Sequence, residues 1–84
     1  MVYKILLAKS AEKELDKASQ SVKEKVVAIF DVLQENPYAG KVLSGELIGL
    51  RSLKAWPYRI IYQIVETKLV VHIVRIRHRK DAYR

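Results

Sequence analysis

The C-terminal residues RHRKDAYR (77–84) combine side chains that bind phosphate with side chains that transfer protons. Arginine stays charged at physiological pH, so it does not serve as a base, but its planar fork matches two oxygens of a phosphate group. Lysine, histidine and tyrosine can each pass a proton to an oxygen or take one from it. The candidates for proton transfer are Lys54, His78 and Tyr83, and the base and the acid among them stay unassigned. These residue types suit chemistry on a phosphodiester.

The net charge of +7 is distributed unevenly along the 84 residues. Residues 1–50 carry seven lysines and seven acidic residues, whereas residues 51–84 carry nine lysines or arginines against Glu66 and Asp81. The excess therefore lies entirely in the C-terminal part. Charge asymmetry of this kind indicates a polyanionic partner: nucleic acid, an acidic protein or a membrane surface. Charge that served only solubility would be scattered over the chain.

Size and composition limit the class of protein. A chain of 84 residues has room for one domain, residues 1–84, with a thin core. The absence of cysteine excludes a disulfide framework and a thiolate metal site, and the acidic residues and histidines form no recognisable metal motif. The longest uncharged apolar runs, such as Val26–Phe30, are too short to cross a bilayer, and the N-terminus lacks the apolar region of a signal peptide. We expect a cytoplasmic protein with no membrane association and no cofactor.

Two helices with a tight connection are predicted in the N-terminal half. Ser10 is expected to cap the first helix, with Glu12 and Glu14 in its positive first turn. Ser21 lies three residues before Glu24, the spacing of a capping box, and is expected to start the second helix. Asn36-Pro37 is expected to end it. The two helices would form an antiparallel hairpin.

Strands are predicted at the N-terminus and throughout the C-terminal part. Alternating β-branched and aromatic residues separated by short turns indicate antiparallel hairpins. The predicted order is β-α-α-β-β-β, an α+β fold in which the helical hairpin covers one face of an antiparallel sheet and leaves the other face free. The predicted strands are Val2–Leu7, Leu50–Trp56, Tyr58–Val65 and Leu69–Arg77.

The two-residue period of a strand predicts which side chains share a face. In the third predicted strand Arg59 points one way, and Tyr62 points the other way, into the core. In the last strand Arg75 and Arg77 share a face, and extending the alternation adds Arg79. A basic concavity results if that face also carries Arg59. The cations expected to contact phosphate around it are Arg51, Arg75, Arg77 and Lys80.

Four motifs together resemble the RelE/ParE toxin superfamily, specifically its RelE-like branch. They are, in order, Asn36-Pro37 after the second helix, the loop Leu43-Ser44-Gly45, the strand Tyr58-Arg59-Ile60-Ile61-Tyr62, and His78-Arg79 followed by Tyr83. The resemblance covers nearly the whole chain. It implies a helical hairpin on an antiparallel sheet, which agrees with the order predicted above.

The resemblance also implies a function: a toxin of a type II toxin–antitoxin system. RelE-like members are ribosome-dependent endoribonucleases that cut mRNA by attack of the RNA's own 2′-hydroxyl, without a metal. The partners implied are the ribosome, mRNA and a cognate acidic antitoxin of the RelB type. Two alternatives stay open. One is a ParE-like inhibitor of DNA gyrase, and the other is a catalytically weak toxin fold that binds nucleic acid or antitoxin.

The family motifs suggest roles for individual residues. Arg59 and Arg79 match the family's arginines, and the resemblance implies that they hold the phosphate and stabilise the transition state. Tyr83 matches a tyrosine implicated in catalysis or substrate placement.

The chain departs from the family at one position. Family members carry two cations where this chain has Ser52 and Lys54. If the face is exposed, replacing Ser52 with lysine is expected to raise cleavage. Arg51 would supply the missing charge only if a bulge turned it away from its regular strand direction.

Overall fold

The computed structural model describes residues 2–80. Two helices pack on one face of a five-stranded sheet, so the predicted α+β class and the order of the elements are confirmed. Within the described residues, no helix is long and apolar enough to span a bilayer. The elements are β1 Lys4–Leu7, α1 Lys9–Asp16, α2 Gln20–Glu35, β2 Lys41–Val42, β3 Arg51–Ala55, β4 Tyr58–Val65 and β5 Val70–His78, with 3-10 turns at Pro37–Ala39, Gly45–Leu47 and Glu66–Lys68.

Both helices begin earlier than predicted. Helix α1 starts at Lys9, so Ser10 lies inside it and donates a hydrogen bond to the Val74 carbonyl oxygen (3.0 Å) instead of capping. Helix α2 is capped by Ser19, whose hydroxyl accepts from the Val22 N–H (3.4 Å). Since α1 starts two residues sooner than a cap at Ser10 would place it, Glu12 but not Glu14 lies in its first turn. Serines spaced two apart offer competing caps, and tertiary contacts decide between them.

The sheet is mixed rather than purely antiparallel. Its strand order is β1-β5-β4-β3-β2, and β1 runs parallel to β5 while the other pairs are antiparallel. The parallel register places Ile5 beside Val71 and Leu7 beside Ile73, so apolar side chains of both strands share the helix-covered face. Strand β2, which was not predicted, adds a short outer edge next to β3.

The core lies between the helices and one face of the sheet. It is lined by apolar side chains from both layers and by one tyrosine, and its fully buried members include Ala11, Val26, Leu33, Ile60, Tyr62, Val71 and Ile73. This arrangement leaves the opposite face of the sheet without helices.

Tyr62 ties the loop after α2 to the core. Its hydroxyl donates to the Pro37 carbonyl oxygen (2.7 Å) and accepts from the Gly40 N–H (3.0 Å). A Cβ on Gly40 would lie 2.5 Å from the Tyr62 hydroxyl oxygen, so glycine is required for this close approach. Burial raises the pKa of the Tyr62 phenol above 10.0. Tyr62 is therefore a structural residue, as the strand alternation predicted.

Candidate functional site

Three cations from three neighbouring strands form a row on the sheet face turned away from the helices. Lys54 of β3 lies opposite Arg59 of β4, and Arg59 lies opposite Arg77 of β5. Residues opposed in this way have their side chains on the same face, with Cβ atoms about 4.5–5.5 Å apart. We call these three residues the basic row. Lys54 is exposed and the two arginines are half-buried, so together they can offer several charged N–H donors to one phosphate group.

A bulge in β5 determines which face its arginines occupy. Ile73 pairs with Tyr62 but Arg75 pairs with Ile61, which leaves Val74 as an extra residue in β5. Strict alternation would have placed Arg75 on the same face as Ile73, under the helices. The bulge reverses the alternation, and the following arginines reach the open face. The predicted basic face is thus formed, but it depends on the bulge in β5, which regular strand alternation does not predict.

Glu14 of α1 contacts the end of β5 beside the basic row. One carboxylate oxygen accepts from the Ile76 N–H (3.0 Å). The other lies 3.7 Å from Arg75 Nη1 and 3.5 Å from Arg77 Nε. The carboxylate therefore partly balances the charge of two of the predicted phosphate-binding arginines. Sequence reasoning missed this role because it assigned Glu14 to the first turn of the helix.

Arg79 lies beyond the last residue of β5, so the strand alternation does not extend to it. Its guanidinium carbon is 5.1 Å from the centroid of the Trp56 ring, and the backbone N–H of Arg79 donates to the Pro57 carbonyl oxygen (2.8 Å). The Trp56 carbonyl oxygen accepts from Lys25 Nζ (3.2 Å), which links this turn to α2. Arg79 is therefore held at the β3–β4 turn by a cation–π contact rather than within the basic row.

His78 points toward the helix-covered side of the sheet. It lies opposite Tyr58, and the two rings meet edge to face, with centroids 5.4 Å apart and planes at 81°. Its Nδ1 accepts from the N–H of Lys80 (3.3 Å), an arrangement that assigns the proton of the neutral ring to Nε2. Adjacent strand residues point to opposite faces, so His78 is not beside Arg77. The Lys80 side chain is exposed.

Arg51 also lies outside the basic row. It is opposite Tyr62 on the helix-covered face, and the pairing of β3 is regular from this residue onward. Its Nη1 donates to the Gly40 carbonyl oxygen (3.0 Å), and its guanidinium lies 5.1 Å from the Tyr38 ring centroid. The Tyr38 hydroxyl donates to Glu66 Oε1 (2.6 Å), and this hydrogen bond is the main reason that the Tyr38 pKa rises to about 12. The structure does not bring Arg51 to the other predicted phosphate contacts.

Comparison with known proteins identifies the family. The family profile described as the ParE toxin of the type II toxin–antitoxin system parDE matches residues 5–83. Over 86 aligned residues the chain is 34% identical to Toxin RelG of Mycobacterium tuberculosis, covering 100% of this chain and 99% of that protein. The chain is a RelE-like member of the RelE/ParE toxin superfamily. It is also 30% identical to Toxin RelE of the same organism, covering 98% of this chain and 87% of that protein.

Solved structures of RelE-like toxins share the fold. The RelBE2 toxin–antitoxin complex of Mycobacterium tuberculosis matches with a TM-score of 0.86 and 29% identity, covering 93% of this chain and 99% of that chain. The archaeal RelE–RelB complex of Pyrococcus horikoshii matches with a TM-score of 0.81 over 98% of this chain and 100% of that chain. Its identity of 22% supports the shared fold alone. The chain is a toxin of a type II toxin–antitoxin system.

Ser52 is where this RelE-like toxin departs from the family's cation pattern. The register places Ser52 and Lys54 on the same face, as predicted. Ser52 is only 5% exposed, however, and within residues 2–80 its hydroxyl has no hydrogen-bond partner. The condition on which the expected gain from a lysine depended, an exposed position, is therefore not met. A small buried side chain occupies the position where the resemblance predicted a second cation, and the regular β3 pairing leaves Arg51 on the opposite face.

Not every predicted site residue of this RelE-like toxin can be located. Tyr83 lies outside the described residues, so its catalytic role stays a prediction. Among residues 2–80, no group of histidine and acidic side chains is arranged to hold a metal ion. The predicted residues that the structure brings together on the open face are Lys54, Arg59, Arg75 and Arg77.

Two residues near the site were not predicted to take part. Glu14 could have been found from its spacing to Ser10, because residues four apart lie on the same helix face and both contact β5. Trp56 is 56% exposed, and its ring lies against Arg79. No local signal in the sequence indicates that contact.

Proposed function

We propose that this RelE-like toxin is an endoribonuclease that cuts mRNA on the ribosome. The observation that carries the proposal is the basic row, in which Lys54, Arg59 and Arg77 come from three adjacent strands to one small area. Several cations on one rigid sheet suit a phosphodiester, whose charge increases as the reaction proceeds. The similarity to Toxin RelG and Toxin RelE supports a RelE-like activity.

The proposed reaction uses the RNA's own 2′-hydroxyl. The 2′ oxygen bonds to the adjacent phosphorus, the bond from phosphorus to the 5′ oxygen breaks, and the products are a 2′,3′-cyclic phosphate and a 5′-hydroxyl. A base removes the 2′ proton and an acid protonates the departing 5′ oxygen. The arginines stabilise charge on the two non-bridging oxygens. Of the candidates for proton transfer, Lys54 is the one directly opposite Arg59; His78 and Tyr83 stay alternatives.

Arg79 is proposed to act together with the basic row. The family motif suggests that it holds the phosphate with Arg59. From its position against Trp56, just beyond the end of β5, it is proposed to reach that phosphate from the side of the β3–β4 turn. The exposed Lys80 follows directly and extends the positive surface. Both would favour binding along a strand of RNA, because each neutralised phosphate adds to affinity.

The proposed partner of this toxin in the cell is an acidic antitoxin of the RelB type. Its solved neighbours include the RelBE2 and RelE–RelB complexes. An acidic segment that becomes ordered on binding would cover Arg59 and Arg79 and neutralise the excess charge after residue 50. Electrostatic steering should then make association fast and dependent on salt. Association rates that do not change with ionic strength would contradict this arrangement.

The ribonuclease proposal is tested by inducing the toxin in cells and mapping mRNA ends by primer extension. We expect cuts in translated frames that disappear with Arg59→Ala and remain with Lys13→Ala, which removes an exposed charge of α1. Purified toxin should cut mRNA on programmed ribosomes and leave a 2′,3′-cyclic phosphate. Intact mRNA under wild-type induction, with growth inhibited, would reject the proposal.

A gyrase inhibitor is the second candidate because the matching family profile is described by the ParE toxin of parDE. A gyrase supercoiling assay with the same purified protein decides between the two. Ribonuclease action predicts unaffected supercoiling. Blocked supercoiling together with intact mRNA would replace the ribonuclease by a gyrase inhibitor, and Arg59→Ala should then be tested for loss of that inhibition.

A further inference from the structure

Helix α1 takes the place of a neighbouring strand along the second half of β5. Strand β1 pairs with β5 only as far as Ile73. Beyond that point two side chains of α1 satisfy the backbone of β5. Ser10 donates to the Val74 carbonyl oxygen (3.0 Å), and Glu14 accepts from the Ile76 N–H (3.0 Å). These contacts fix the position of the Glu14 carboxylate independently of any arginine.

The second oxygen of Glu14 is directed to the arginines of β5. It lies 3.7 Å from Arg75 Nη1 and 3.5 Å from Arg77 Nε. One carboxylate thus serves two guanidinium groups at distances longer than those of a charge-assisted hydrogen bond. The side chains of Arg75 and Arg77 remain 41% and 35% exposed, which leaves donors of both free to turn toward another anion. Such a partly exposed ion pair is weak.

We propose that Glu14 is an internal anion that competes with RNA phosphates for Arg75 and Arg77 and so limits how many phosphates this face binds. The inference rests on the proposed function in taking RNA as the polyanion. A phosphate that reaches these arginines must displace the carboxylate or share the guanidinium with it. The carboxylate stays nearby, because the Ile76 N–H holds it. Glu14 therefore lowers the contribution of Arg75 and Arg77 to indiscriminate RNA binding.

The test compares Glu14→Gln with Glu12→Gln, measured on the full chain. Both variants remove one negative charge from α1, and Glu12 is exposed, so their effect on the overall field is matched. Glutamine at position 14 keeps a carbonyl oxygen to accept from the Ile76 N–H. Melting temperatures near the wild-type value would confirm that both variants are folded. A difference in RNA binding between the two variants then reports the release of Arg75 and Arg77 from the Glu14 carboxylate.

The readout is the salt dependence of binding to a single-stranded RNA oligonucleotide. The slope of log affinity against log salt changes by about 0.7 for each phosphate neutralised on a single strand. Release of one or two arginines should make the slope for Glu14→Gln steeper than that for Glu12→Gln by about 0.7–1.4. Adding Arg75→Ala and Arg77→Ala to Glu14→Gln should remove the excess. Equal slopes for the two glutamine variants would overturn the proposal.

Elution from immobilised heparin separates this inference from the proposed ribonuclease activity. Heparin is a polyanion that does not depend on RNA chemistry, and Glu14→Gln should elute at higher salt than Glu12→Gln. If the elution differs but mRNA is never cut, Glu14 restrains the arginines and the ribonuclease proposal fails. If mRNA is cut but both variants elute together, the ribonuclease proposal stands and the role of Glu14 is rejected.

Discussion

Lys54 and Arg59 lie directly opposite each other on two antiparallel strands, so two positive charges occupy the closest cross-strand positions of the sheet. Like charges in this arrangement destabilise a sheet. The same arrangement continues from Arg59 to Arg77. Repulsion between like charges that lowers stability across three strands is typical of a binding site, where function outweighs stability.

Replacing Lys54 with glutamine should stabilise the protein and weaken cleavage. Removal of the repulsion with Arg59 is expected to raise the free energy of unfolding by about 0.2–1 kcal/mol, measured by urea unfolding. Lys41→Gln is the matched control, because Lys41 lies opposite Ser52 rather than a cation. An equal gain from Lys41→Gln would show that net charge, not the opposed pair, causes the effect.

Arg59→Ala and Arg79→Ala should each abolish most cleavage while leaving the protein folded. Loss of one group that stabilises the charge of the transition state typically lowers the rate by about 10²–10³. Single-turnover cleavage on programmed ribosomes measures this step. Near wild-type cleavage by either variant would remove that arginine from the catalytic machinery.

Trp56 should act through Arg79. Trp56→Ala removes the cation–π contact, which is worth about 0.5–1 kcal/mol at an exposed site, so cleavage should fall about two- to fivefold. Trp56→Phe keeps an aromatic face and should restore most of the activity. In an Arg79→Ala background Trp56→Ala should have no further effect. An additive loss in the double variant would mean that Trp56 contacts RNA or supports the turn by itself.

Ser52→Lys should destabilise the protein and fail to raise cleavage. The lysine side chain would have to fit at a position where serine is only 5% exposed, and overpacking of this kind lowers the free energy of unfolding by about 1–3 kcal/mol. Ser52→Ala removes a buried hydroxyl without a partner in the described chain and should be neutral or stabilising. Chemical denaturation of both variants, with cleavage measured in parallel, checks the pair. Faster cleavage by a fully stable Ser52→Lys would show that the position opens to solvent.

Tyr62→Phe should lower the free energy of unfolding by about 1–3 kcal/mol, because it leaves the Gly40 N–H and the Pro37 carbonyl without their partner. The residue lies on the opposite face from the basic row, so cleavage well below the melting temperature should be unchanged. A loss of cleavage without a loss of stability would contradict this assignment. Gly40→Ala should also destabilise, since its Cβ would collide with the same hydroxyl.

Much of the sheet could be predicted because the bounds and pairing of its central strands are determined by residues close together in the sequence. Strand β4 has the predicted bounds Tyr58–Val65, and short connections on either side make its neighbours antiparallel. The shared face of Arg75 and Arg77 also followed from alternation, whereas their position beside Arg59 depends on the bulge at Val74. The end of α2 at Asn36-Pro37 was also correct, because proline restricts the backbone before it.

The features that could not be predicted depend on contacts between distant parts of the chain. The bulge at Val74 appears only when Ile73 and Arg75 are paired with β4. The parallel direction of β1 depends on the path of the whole chain. The burial of Ser52 depends on how its neighbours pack around it in the sheet. Glu14 was assigned to the wrong turn because helix caps are weak local signals that tertiary contacts override.

The position of β5 in the sheet has a consequence for how the protein folds during its synthesis. Strand β5 is the last to be synthesised, yet it lies between β1 and β4. Strand β1 therefore has no strand to pair with until residues 70–78 have left the ribosome. Such long-range pairing forms late and slowly. A nascent chain carries Lys54 and Arg59 but has no completed basic row until Arg77 joins them, so the proposed activity requires a folding step after synthesis of β5.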